Sequence, residues 1–107
     1  MDRNSSVRSR FEILKTVYRQ AGGAAGKRVL FFPRQIEDAF FNDVSYDLKI
    51  MREKGLVEYS GNFITYRFRI SLTEKGAALV ARAYEGMKLP EEERASVLEE
   101  VFQELRI

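Results

Sequence analysis

Two carboxylates stand four residues apart at Asp43 and Asp47, in a segment whose pattern predicts a helix. Residues at this spacing lie about one helical turn apart, so the two side chains share a face and can together hold a divalent cation. The same positions also suit simpler roles, because Asp43 can cap the start of a helix and Asp47 can be a solvated surface charge. We favour these simpler roles and expect no metal site.

Residues 21–27 read AGGAAGK and partly match a phosphate-binding loop. Such a loop needs a glycine five residues before Gly26, where this chain has Ala21, and a serine or threonine after its lysine, where this chain has Arg28. The segment also follows a predicted helix, whereas a phosphate-binding loop follows a strand. A flexible connection is therefore the favoured interpretation.

The 107 residues include no His, no Cys and no Trp. Without His and Cys, the chain lacks the ligands of the common zinc, copper and iron–sulfur sites, and it lacks Ser-His and Cys-His nucleophile pairs. An enzyme would have to use carboxylates, Lys or Tyr. We therefore expect no enzymatic activity and no cofactor.

Composition indicates one soluble domain, since 45% of the residues are hydrophobic and 32% are charged. The apolar run at 29–32 is too short for a signal sequence or a membrane span, so we expect a cytoplasmic protein with no membrane partner. The charge is uneven: the net value is +6 over 1–34, −1 over 35–76 and −3 over 77–107, which gives +2 in total. A basic first third favours a polyanionic partner, and a mixed soluble surface is the alternative.

The elements that must position any site follow from apolar spacing. In the first predicted helix, Val7, Phe11 and Leu14 recur on one face, and Gly22 and Gly23 end it. The predicted helices are 6–21, 33–41 with Pro33 at its first position, 43–54 with Val44, Leu48 and Met51 inward, one that Thr73 caps and Gly86 ends, and one that Pro90 starts.

Residues 56–60 and 63–72 are predicted strands, and Gly61-Asn62 between them is typical of a two-residue hairpin turn. The second strand is longer than the first, and 29–32 can pair with its free edge. This register places Tyr59 opposite Ile64 and Val57 opposite Tyr66.

Two segments carry a resemblance. LKIMREKGLV at 48–57 and ISLTEKG at 70–76 resemble the corresponding segments of winged helix-turn-helix DNA-binding proteins, in particular MarR-like and PadR-like regulators and small archaeal proteins with a C-terminal dimerisation helix. With the order of the elements, the resemblance covers about 6–86. It implies an α+β, mostly helical fold with a three-helix core, a small antiparallel sheet and a C-terminal helical extension. The expected division is a winged-helix domain at 1–88 and a dimerisation helix at 89–107.

In this fold the outward face of helix 43–54 reaches base edges in the major groove, and the hairpin at 60–63 serves as a short wing. Basic residues on the flanks can hold phosphates. The expected DNA-binding residues are Arg8, Arg10, Lys27, Arg28, Arg34, Ser45, Tyr46, Lys49, Arg52, Asn62, Arg67 and Arg69.

Structural interpretations compete with these roles. Charged residues on the outer face of a helix are usually only solvated, and Arg67 can pair with Glu58 across the hairpin instead of binding DNA. The predicted reading helix is also formally neutral, because its acidic residues match its basic ones. The offsetting groups are Asp43, Asp47 and Glu53 against Lys49, Arg52 and Lys54.

The last predicted helix carries an apolar stripe that either folds back onto the same domain or packs against a second copy. The resemblance favours a homodimer. The Phe and Tyr residues are expected mostly in the core, and no residue marks an effector pocket. The dimerisation stripe is Val97, Leu98, Val101, Phe102 and Leu105.

The sequence therefore predicts a small homodimeric protein that binds double-stranded DNA and regulates transcription. The alternative is a winged-helix adaptor that binds proteins without sequence-specific DNA binding, which the neutral reading helix and the acidic last third also fit.

Overall fold

The first helix, α1 (Arg3–Gln20), confirms the predicted helix over 6–21. The computed structural model describes residues 3–36 and 39–106, with side chains from residue 7 onward. Val7 and Leu14 are buried as their spacing predicts. Gly22 and Gly23 follow at φ +63° and +81°, in the left-handed region that favours glycine and ends a helix.

Three strands form one antiparallel sheet in the order β1-β3-β2. They are β1 (Val29–Phe31), β2 (Val57–Asn62) and β3 (Arg67–Leu72). The predicted pairing of the first strand with the end of the hairpin is confirmed, since Phe31 lies opposite Phe68. The central strand is β3, because β2 pairs along its other edge over its whole length.

The hairpin turn differs from the prediction. Its two strands are joined by a four-residue loop at 63–66, so Tyr59 lies opposite Ile70 instead of Ile64, and Val57 opposite Leu72 instead of Tyr66. The reason is the Asn62 side chain, whose Oδ1 accepts the backbone N–H groups of Ile64 at 2.9 Å and Thr65 at 3.3 Å. Such an Asx turn lengthens the loop beyond two residues.

The predicted helix over 33–41 is wrong for the described residues. Only Pro33–Gln35 is helical, as one 3-10 turn, and Ile36 has extended backbone angles of φ −108° and ψ 124°. Glu37 and Asp38 lie outside the described residues. The Gln35 side chain accepts the N–H of Phe32 at 2.8 Å, which closes the turn on itself. The predicted helix over 43–54 is confirmed as α2 (Phe41–Glu53).

The inner stripe of α2 is confirmed, because Val44, Leu48 and Met51 have no exposed surface. The cap of α3 (Glu74–Gly86) is confirmed too, since Thr73 Oγ1 accepts the N–H of Gly76 at 3.0 Å.

The last helix, α4 (Glu91–Leu105), packs on α1 and α3 of its own chain. Val101 and Leu105 are fully buried there and belong to the same core as the buried residues of α1. This core therefore contains residues from both sides of the predicted boundary between 1–88 and 89–107. The ring of Phe102 meets that of Phe11 edge-on at 5.5 Å. Val97 and Leu98 are half-buried. Two residues of the expected dimerisation stripe, Val101 and Leu105, are thus covered within the chain, and the other three keep part of their surface exposed. The homodimer stays a prediction.

Candidate functional site

The outer face of α2 is free of the core. Tyr46 is 52% exposed, Lys49 and Arg52 are exposed, and Ser45 is half-buried. This follows from the inner stripe, which occupies the opposite side of the helix. The Arg52 guanidinium lies over the ring of Tyr59, 4.6 Å from its centroid, and so joins this face to β2.

Asp47 and Arg10 form an ion pair in the interior, with only 5% and 2% of their surfaces exposed. Arg10 Nε donates to Asp47 Oδ1 at 3.0 Å, and Ser9 Oγ donates to Asp47 Oδ2 at 2.9 Å. Arg10 Nη1 also donates to the carbonyl oxygen of Leu105 at 2.6 Å, which satisfies a carbonyl at the end of α4. The described side chains leave no buried side-chain nitrogen or oxygen without a partner.

Both sequence interpretations of this pair are wrong. Arg10 is not on the surface, where a DNA contact requires it, and Asp47 is not a solvated charge. The sequence carried a signal for this: Arg10 stands three residues after Val7 and four before Leu14, inside the apolar stripe of α1. Asp47 holds the same position between the buried Val44 and Met51 of α2.

The buried pair changes the charge of the α2 surface. Without Asp47, the acids left to offset the basic residues of this helix are Asp43 and Glu53. Asp43 lies at the start of the helix, where its Oδ2 accepts the N–H of Phe40 at 3.3 Å. The outer face that presents Lys49 and Arg52 is therefore more positive than the formal count of the helix indicates.

Asp43 and Asp47 bind different partners: Asp43 accepts the N–H of Phe40, and Asp47 pairs with Arg10. Among the described residues, no group of three His, Cys, Asp or Glu side chains is placed to hold a metal ion.

The pKa of Asp47 is raised by burial, and the hydrogen bond from Ser9 and the charge of Arg10 oppose the rise. Because the native chain then takes up the Asp47 proton at a higher pH than the unfolded chain, the contribution of Asp47 to stability increases as the pH falls through its native pKa. We expect the stability advantage of the wild type over Asp47→Asn to grow from pH 7 towards pH ~4. Urea unfolding of both proteins at a series of pH values measures it, and an advantage that shrinks would contradict the direction of the shift.

A second cationic group lies on the hairpin. Arg67 and Arg69 share one face of β3 and, with Ser60 and Asn62 of β2, line a shallow groove of about 300 Å³. Arg67 lies opposite Asn62 in the register and Glu58 opposite Ser71, so the predicted Arg67–Glu58 pairing across the hairpin is wrong.

The remaining predicted cations are exposed but lie on other elements. Arg8 is on α1, Lys27 and Arg28 precede β1, and Arg34 is in the 3-10 turn. Of these, Arg34 belongs to a recognisable site, where its guanidinium carbon lies 5.2 Å from the centroid of the Phe32 ring.

That site is an aromatic pocket that the sequence analysis missed. The aromatic pocket lies between the 3-10 turn, the start of α2 and the hairpin loop, with a volume of about 550 Å³. Rings such as Phe31 and Phe68 are in the core as expected, but Phe40, at the start of α2, is 73% exposed. The doublet Phe40-Phe41 was a weak signal, because it adds a large apolar residue next to one that packs on the core. The lining residues are Phe32, Pro33, Arg34, Ala39, Phe40, Phe41, Asn42, Phe63, Thr65 and Tyr66.

Comparisons of the chain with protein-family models, with curated proteins and with solved structures gave no match. Across the described segments, no helix combines the length and the apolar character needed to cross a membrane.

Proposed function

We propose that this protein binds double-stranded DNA through the outer face of α2 and regulates transcription as a small winged-helix protein. The observation that carries the proposal is the outer face of α2, which exposes Lys49 and Arg52 while the carboxylate of Asp47 is withdrawn onto Arg10 in the interior. The antiparallel hairpin that follows α2 and the β1-β3-β2 sheet support it, because a winged helix has a hairpin after its reading helix. Among the described residues, the element before α2 is one 3-10 turn, Pro33–Gln35, where a helix-turn-helix has a full helix.

The dimensions of α2 suit the major groove. A helix of 13 residues is about 20 Å long, and a groove about 12 Å wide admits it. Tyr46 offers a hydroxyl and an apolar ring, and Lys49 offers a flexible ammonium that reaches guanine or phosphate. Arg67 and Arg69 add phosphate contacts from the hairpin, so a bound duplex would be held from two elements.

Regulation follows from occlusion. A protein bound in the major groove of a promoter competes with other proteins for the same base pairs. Phosphate contacts supply the affinity, and base contacts from α2 supply the sequence specificity. Pairing of two copies through the α4 stripe is not part of this proposal, because Val101 and Leu105 are buried within one chain.

Replacing Lys49 with Ala tests the role of α2. We expect about tenfold weaker binding to duplex DNA and a salt dependence reduced by about one phosphate contact, because an exposed cation is lost from the binding face. Fluorescence anisotropy with random and genomic duplexes gives the affinity at salt concentrations between about 50 and 200 mM. The slope of log affinity against log salt concentration gives the salt dependence.

The matched control is Lys88→Ala, which removes the same charge from an exposed position beyond α3. Equal losses for the two variants, or affinity that does not change with salt, would rule out binding through the α2 face.

A protein-binding adaptor is the second candidate, and the exposed apolar side chains at the hairpin loop favour it. Ile64 is 87% exposed and Phe63 is 59% exposed, and aromatic residues are enriched at protein interfaces. The two functions are separable, because an adaptor would retain its partner in the Lys49→Ala variant, as measured by affinity capture of that partner.

A further inference from the structure

The aromatic pocket presents ring surface to solvent on two sides. Phe40 is 73% exposed on the helix side, and Phe63 and Tyr66 are 59% and 56% exposed on the loop side. Large apolar surface exposed around a concavity usually marks a binding site, because leaving it in water costs free energy. The volume of about 550 Å³ lies in the range of small-molecule sites.

The rings of the pocket pack on one another and, through Phe41, on the core. Phe41 stacks on the buried Phe68, with ring centroids 4.4 Å apart and planes 16° apart. Phe63 meets Phe41 edge-on at 5.3 Å and 86°, and Tyr66 meets Phe63 at 5.3 Å. The loop wall is thus anchored through Phe41 to the core.

The backbone of the loop is fixed as well. Asn62 holds the N–H groups of Ile64 and Thr65, and Tyr66 completes the loop in the left-handed region at φ +52°. A non-glycine residue in this conformation persists only where the surroundings impose it. The backbone that carries Phe63 and Tyr66 is therefore held by contacts within the chain itself.

The polar groups at the pocket restrict its ligand. Arg34 is the only charged side chain among the described lining residues, and Asn42 and Thr65 supply hydrogen-bond donors and acceptors. Arg67 and Arg69 of the same hairpin are not pocket residues: they line the separate groove, on the face of β3 opposite Phe68. Arg34 alone therefore makes the described rim cationic, beside walls that are mostly aromatic.

We propose that the aromatic pocket binds an unpaired base of a nucleic acid strand, with the base stacked on the pocket rings and its phosphate at Arg34. Flat aromatic surface stacks on any base, an amide pairs with base edges, and a guanidinium binds phosphate. Phe41 and Asn42 belong both to the pocket and to the start of α2, so the pocket adjoins the proposed duplex-binding face. The inference extends the proposed function from paired to unpaired DNA.

The test uses a single-stranded oligonucleotide with one 2-aminopurine, whose fluorescence is quenched when it stacks on an aromatic ring, and a duplex with the same base in a bulge. We expect quenching on binding, and about tenfold weaker binding to both probes for Phe63→Ala, since loss of one stacking ring commonly costs this much. Phe63→Tyr keeps the ring and is expected to restore both signals. Met87→Ala, which removes an exposed apolar side chain from the end of α3, is the control and is expected to change neither.

The outcomes separate this proposal from the proposed function. Loss of fully paired duplex binding in Lys49→Ala with quenching retained supports two distinct sites. Quenching in a chain that binds no paired duplex supports the pocket and removes the duplex proposal alone. Unchanged single-strand affinity in both Phe63→Ala and Phe40→Ala overturns the pocket proposal. The pocket proposal is also overturned if 2-aminopurine stays unquenched in the wild type and Phe63→Ala abolishes binding to phosphatidylserine vesicles or to a captured peptide. That result would indicate that the pocket binds a lipid or a peptide and not a base.

Discussion

Replacing Arg10 with Met is expected to lower the free energy of unfolding by about 3–5 kcal/mol. The substitution keeps the apolar stem of the side chain and removes the guanidinium, which leaves the Asp47 carboxylate buried without its cation. The carbonyl oxygen of Leu105 loses its donor at the same time. A domain of this size has a total stability of only about 5–15 kcal/mol, so the variant would be close to unfolding at room temperature.

Chemical denaturation followed by circular dichroism measures this loss, with Arg8→Met as the control because Arg8 is exposed on the same helix. The double variant Arg10→Met/Asp47→Leu is expected to recover most of the stability, since replacing both buried charges by apolar groups is often neutral or favourable. A loss below about 1 kcal/mol for Arg10→Met, the size typical of an exposed ion pair, would show that the pair is hydrated in solution.

The second large effect is expected for Gly76→Ala, at about 3 kcal/mol or more of lost stability. A Cβ at Gly76 would overlap the carbonyl oxygen of Leu56 and lie 3.0 Å from its carbonyl carbon. That carbonyl cannot move away freely, because it accepts the N–H of Thr73 at 3.0 Å, next to the cap of α3. Relief therefore requires α3 to separate from the segment that leads into β2.

Gly86→Ala provides a graded comparison within the same helix. A Cβ there would lie 2.7 Å from Cγ1 and 3.1 Å from Cβ of Val97, so relief requires a small shift of α4, whereas at Gly76 it requires displacement of a hydrogen-bonded backbone carbonyl. Thermal unfolding should therefore show a much smaller fall in melting temperature for Gly86→Ala than for Gly76→Ala. Equal falls would mean that the approach of α3 to Leu56 is not the tightest contact of this helix.

Much of the fold could be predicted from local patterns. Val44, Leu48 and Met51 recur at helical spacing and are buried, and Thr73 caps its helix as its residue type predicts. The hairpin register could not be predicted from Gly61-Asn62, because the loop length depends on hydrogen bonds that the Asn62 side chain accepts from Ile64 and Thr65 within the loop. Hydrogen bonds between a side chain and the backbone do not depend on apolar residues, so the spacing of apolar residues does not predict them.

The candidate site was predictable only on its exposed side. Tyr46, Lys49 and Arg52 follow from the face opposite the buried stripe of α2. The aromatic pocket depends on the contact between Phe41 and Phe63. These residues belong to different elements, α2 and the hairpin loop, and they come into contact only when the hairpin packs against the start of α2. Contacts between elements of this kind are set by tertiary packing, which one sequence does not specify through spacing alone.

Arg10 also gives the molecule a connection between two distant parts of the chain. One guanidinium binds a carboxylate on α2 and a carbonyl at the last turn of α4, so these two helices share a single anchor on α1. Fraying or tension at the end of α4 would weaken that anchor and change how firmly α2 is seated on the core. Loss of the last turn of α4 would therefore also lower the stability of the packing of α2, the helix that carries Tyr46 and Lys49.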